Sequence, residues 1–119
     1  THQPVFVTHA EDEEHLLRGH QKAVAEWAQA GVDLILGGHI HRPFISGLHD
    51  RFTSLQRPAW VVQAGTAVST RIRHDSNNSV YLIRHGLEGE ARHCEVERWD
   101  YDEDSSEFAM IQSQALQIA

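Results

Sequence analysis

Val32-Asp-Leu-Ile-Leu-Gly-Gly-His-Ile-His-Arg-Pro43 decides how this chain is read. Val32, Leu34, Ile35 and Leu36 make a short apolar run with no polar alternation, the pattern of a strand buried on both faces. Gly37 and Gly38 then interrupt it, and glycine permits a sharp turn or the close approach of another backbone or an ion. His39 and His41 follow at i and i+2. Neutral imidazole ligates zinc, iron, nickel and copper, and this spacing can aim two rings at one metal or at the two metals of a pair. A His-x-His can equally sit on an exposed loop with no metal, particularly in a chain with 10 histidines. Its position at the carboxyl end of a buried strand favours the ligand reading, because open α/β sheets hold their ligands there.

Upstream, Pro4-Val-Phe-Val-Thr-His9 reads as a second short strand that also ends in a histidine. Residues 12–30 follow as one helix, with Leu16, His20, Ala23, Val24, Trp27 and Ala28 on one face. Glu11, Asp12, Glu13 and Glu14 suit the positive end of its dipole, and Gly31 stands where a left-handed cap is wanted. On this helix His15 and His20 read as surface or half-buried residues. Strand, helix and strand make a βαβ unit with parallel strands and a right-handed crossover. Parallel strands end at one sheet edge, which would bring His9 to His39 and His41.

Downstream, residues 42–48 can form a short strand, 49–57 a loop, and Pro58-Ala-Trp-Val-Val-Gln-Ala-Gly-Thr66 another strand. Residues 67–78 read as a loop, and 80–83 with 91–99 as a hairpin around Gly86 and Gly89. Residues 100–119 are set apart as an acidic tail, in which Phe108, Ile111, Ala115 and Ile118 allow a short amphipathic helix.

The formal charge of −7 argues against a general nucleic-acid-binding surface. No apolar stretch approaches the ~18 residues of a membrane span. The single cysteine, Cys94, reads as a small core residue and fits a reducing compartment, pointing to the cytoplasm. Arg42, Arg71 and Arg73 lie in or after the His-x-His stretch. They can clamp a phosphate by paired hydrogen bonds, or else pair with the acidic residues towards the carboxyl end or stay solvated. His74, His85 and His93 sit in polar surroundings and need no role.

The ordered set Val-Thr-His9, Gly38-His39-Ile-His41-Arg-Pro43, then Gln-Ala-Gly-Thr66 with Ser69-Thr-Arg71 resembles the calcineurin-like metallophosphoesterases. It lies near their branch of bacterial cyclic-nucleotide phosphodiesterase-like proteins. The resemblance covers roughly residues 4–99. It implies a four-layered α/β/β/α sandwich with a mixed sheet and a site for two divalent or trivalent transition-metal ions, manganese, iron or zinc. It further implies hydrolysis of a phosphoester, a nucleotide among the candidates, by metal-activated water. Carried over, His9 and His39 would ligate one metal and His41 the other; Arg42, Arg71 and Arg73 are candidates for the substrate on their charge and position alone.

The family's Asp-x-His, Gly-Asp and Gly-Asn-His blocks do not precede His9. The chain is therefore expected to be the C-terminal half of such an enzyme, residues 1–99, inactive without its N-terminal half. Two divalent ions ~3.5–4 Å apart need anionic ligands, and three imidazoles supply none. A half-sandwich should also leave an unpaired strand edge or an apolar face, favouring a homodimer. The competing readings are a non-catalytic α/β module for protein binding and an amidohydrolase-type barrel. The barrel is disfavoured because its His-x-His opens a far longer chain.

Overall fold

The computed structural model describes residues 1–73 and 75–119. It is mixed α/β, mostly strand, with one α-helix and two three-stranded sheets. The strand read at 32–36 is β1, Leu34–Gly37; β2 is Phe44–Gly47 and β3 is Trp60–Gln63. β3 is central, parallel to β1 and antiparallel to β2. The second sheet is an antiparallel meander of β4 (Ser79–Glu88), β5 (Ala91–Asp102) and β6 (Glu107–Leu116).

Alternation along the first sheet sends side chains to two different cores. Ile35, Val61 and Phe44 pack with Val5, Val24 and Ala28, so the helical segment covers that face. Leu34, Trp60, Val62 and Ile45 meet Cys94, Val96 and Leu116, so the second sheet covers the other. Cys94 is the core residue its neighbours suggested, and burial pushes its thiol up from the ordinary range.

Residues 4–9 form no strand, correcting the βαβ reading. Thr1 N instead donates to Leu36 O (2.6 Å) and Gly38 N to His2 O (3.3 Å), so residues 1 and 2 lie along β1. Pro4, which has no N–H, ends that pairing, and Val5 drops into the core. The predicted helix over 12–30 is also split. A 3₁₀ turn spans Ala10–His15, Gly19 takes a left-handed φ of 77°, and α1 runs His20–Gln29. Its end is as predicted. Val32 N bonds to Trp27 O (3.0 Å) and Gly31 N to Ala28 O (3.1 Å), around Gly31 at φ 102°. That is the paired cap which a glycine permits.

The amphipathic helix expected in the tail is absent from the described residues; β6 stands there and pairs with β5. The spacing of Phe108, Ile111, Ala115 and Ile118 fits a helix, but the long strand β5 offers a free edge and the tail adds to it. The hairpin before it also exceeds its predicted limits. β4 and β5 pair from Ser79↔Asp100 to Glu88↔Ala91, leaving a two-residue turn with Gly89 at φ 65°.

A histidine cavity at the end of β1 and β3

β1 and β3 run parallel, so the loops after Gly37 and after Gln63 leave the sheet at the same edge. Between them opens a cavity of about 660 Å³, with His2, His15, His39, His41, Arg71 and Arg73 in its lining. Gly37 is required for close approach rather than for turning. A Cβ there would collide with the buried side chain of Gln63, whose Nε2 donates to Gly38 O.

The turn itself falls on the histidines. His39 has φ 74° and His41 has φ 55°. Left-handed backbone costs a residue with a Cβ about 1–2 kcal/mol, and such residues gather at functional sites when their surroundings hold them. Ile40, between them, is buried; its N–H donates to Gly38 O (2.9 Å) and its carbonyl accepts from Arg73 Nε (2.9 Å).

His39 stands among other imidazoles. Its Nε2 is 3.2 Å from His15 Nδ1, and its ring centroid lies 4.7 Å from that of His2 and 4.9 Å from that of His15. Desolvation first, then the nearby His2, His15 and His41, hold its pKa below the usual 6.5, which favours the neutral, ligating form. His41 Nδ1 is 2.7 Å from Arg71 O. A carbonyl can only accept, so Nδ1 carries the proton; in the neutral ring this leaves the lone pair on Nε2, the arrangement common in metal-ligating histidines.

His9 does not join them. Its Nδ1 meets Thr8 Oγ1 (2.9 Å), while its Nε2 faces Arg42 Nη1 (3.3 Å) and Asp75 Oδ2 (3.8 Å). His2, beside β1, holds the place expected of His9. A weak signal for it is legible: Thr1-His2-Gln3-Pro4 sets a histidine just before a proline that stops strand pairing.

The three arginines also divide. Arg42 is only 5% exposed and engages Asp12 Oδ2 (2.8 Å), Asp75 Oδ2 (2.7 Å) and Glu11 Oε1 (2.5 Å). Arg73 engages Asp12 Oδ1 (2.6 Å) as well as Ile40 O. Both are therefore committed inside the chain, to residues 11, 12 and 75 rather than to the acidic stretch towards the carboxyl end. Among the described residues the Arg71 guanidinium makes no hydrogen bond or ion pair, and it lines the cavity. The acidic run at 11–14 likewise exceeds its predicted part: Asp12, fully buried, is an internal anion and not a dipole partner. His85 lies on β4 and His93 on β5, neither lining the cavity, and the reading of His74 falls outside the described residues.

The donor set suits a borderline transition metal in type: neutral imidazoles, one with its outer nitrogen tied. It is incomplete in charge, because none of the described residues lining the cavity is a carboxylate. Among the described residues no three His, Cys, Asp or Glu side chains are grouped so as to hold an ion. No described helix is long and apolar enough to cross a membrane. Comparison with protein-family models, curated proteins and solved structures returned no match.

Proposed function

We propose that this chain is the C-terminal part of a calcineurin-like two-metal phosphoesterase, acting on phosphomono- or phosphodiesters. What carries the reading is one juxtaposition: His39 and His41, both in left-handed backbone, share a cavity with His2 and Arg71. The sheet arrangement is compatible with half of the four-layered sandwich, because a helical layer, a mixed sheet and a second sheet follow one another. His2, His39 and His41 are the residues that would hold metal, His2 replacing His9 in the set. Manganese, iron and zinc all accept such ligands.

When bound, the metals supply an activated water and neutralise charge developing on the phosphoryl oxygens. The chain's own residues prepare the place. Arg71 O fixes the tautomer of neutral His41, desolvation and neighbouring imidazoles favour the neutral form of His39, and the Arg71 guanidinium is available to orient a phosphate oxygen. The bridging anion and the remaining ligands are assigned to an N-terminal half, without which the chain is inactive.

The test is metal titration of the 119-residue chain by calorimetry with zinc and with manganese at neutral pH. One weakly bound ion per chain is expected, lost in His39→Ala and weakening as protons compete for the rings at lower pH. Two tight ions, or binding unchanged in His39→Ala, would remove the reading.

A further inference from the structure

We propose that Asp12 is a positioning residue, a buried carboxylate that fixes the left-handed backbone presenting His39 and His41. Its side chain has no exposed surface, and both oxygens are taken, Oδ2 by Arg42 Nε at 2.8 Å and Oδ1 by Arg73 Nη2 at 2.6 Å. Both arms end on the same short segment. Arg42 follows His41 in the chain, and Arg73 Nε donates to the carbonyl of Ile40, the residue between the two histidines.

Two left-handed residues with side chains, separated by one residue, persist only if their surroundings outweigh the strain. Here Ile40 is tied at both ends, to Gly38 O through its N–H and to Arg73 through its carbonyl. Arg73 is aimed by Asp12. Without the carboxylate, two guanidinium groups would face each other across a buried gap. Their remaining partners, Glu11 and Asp75, are more than half exposed, and solvent and salt screen them. The turn would then relax towards the negative φ that histidine prefers. For metal affinity the clamp matters only if the histidines hold metal as proposed above; for the backbone it matters regardless.

The metal-free, isotopically labelled 119-residue chain allows the direct test. In the unsubstituted chain His39 and His41 should give the Cα shifts and short intraresidue Hα–HN distances of positive φ. Asp12→Asn, which keeps size and removes charge, should abolish that signature at both histidines. The amides of β3 and β5 should stay near their places, which a merely structural role for Asp12 would not predict. Arg73→Lys, at a partly exposed position, keeps the charge but loses the two-armed reach, and should weaken the signature at the same two histidines. Zinc affinity of the unsubstituted chain should fall about 10–100-fold in both variants, the range typical of groups that orient ligands.

Positive φ retained at His39 and His41 in a folded Asp12→Asn chain would overturn the proposal. If Asp12→Asn does not fold, Arg73→Lys decides: an unchanged signature there overturns it equally. A chain that takes up no zinc at all would sink the phosphoesterase reading and leave the backbone measurement to judge the clamp.

Discussion

The turn from Gly38 to Pro43 and the β4–β5–β6 sheet hold their shapes by different means. The turn keeps two residues in left-handed backbone, and its ties come from far along the chain: Asp12, Gln63, Arg71 and Arg73. The sheet draws its order from immediate neighbours, pairing strand to next strand with one irregularity at Arg98/Trp99. It leaves Leu82, Met110 and Ile111 in the open. A regular ladder satisfies its own backbone and tolerates exposed apolar residues. A strained turn has no such reserve, so distant side chains are committed to it and their polar groups are taken. Arg42 and Arg73 show this directly.

The contrast can be broken most severely at the histidines. In the longer enzyme proposed here, His39→Ala and His41→Ala should each lower hydrolysis of a generic phosphodiester by several orders of magnitude. His20→Ala on α1 should leave the rate nearly unchanged. Circular dichroism would confirm that folding is retained; near-normal turnover by His39→Ala would end the ligand assignment.

Next in size is the core on the helical side of the first sheet. Leu48 is fully buried against Val61 and its neighbours, so Leu48→Ala should cost about 2–5 kcal/mol in urea unfolding. Met110→Ala on the exposed strand should stay within about 0.5 kcal/mol. Equal costs at the two positions would mean that Met110 is packed as closely as Leu48, contrary to its exposure on the open strand.

A gentler probe is pH. The folded pKa of His39 is depressed, so between it and the unfolded value of 6.5 the unfolded chain binds more protons. The contribution of His39 to stability is therefore complete above 6.5 and is lost as pH falls through that window. Proton NMR of the metal-free chain should show His39 titrating below the usual imidazole range. A normal or raised value would show that the crowding by His2 and His15 does not persist in solution.

The smallest effect concerns association. β6 is an edge strand, and residues 108–116 carry no charged side chain and no proline. Such edges recruit other strands. Sedimentation at micromolar concentration should reveal weak self-association that Ile111→Lys reduces; a strict monomer would assign the exposed apolar residues no role of this kind.

Much of this was legible along the chain, for physical reasons that differ by segment. β1 and β3 are continuous apolar runs, and the Gly-Gly-His-Ile-His break is local, so their placement needed only neighbouring residues. The cap at Gly31 is also local. His2 carries only the weak signal of the proline two positions on, with no apolar strand pattern around it to read. Asp12 was hidden because its partners lie 30 and 61 positions away, and four consecutive acids offer a sufficient local explanation as a helix start. β6 was misread because apolar spacings of three and four satisfy a helix as well as a half-exposed edge.

The ion pair between Asp12 and Arg73 spans 61 positions of sequence. Closing a loop that long carries an entropy cost rising as about (3/2)RT ln n, recovered only once the intervening sheet has formed. The β4–β5 and β5–β6 pairings close far shorter loops and have no such prerequisite. The histidine turn is thus placed late in the order of assembly and early in the order of loosening. Under mild denaturant, amide exchange should reach His39 and Ile40 while the meander still holds its protons.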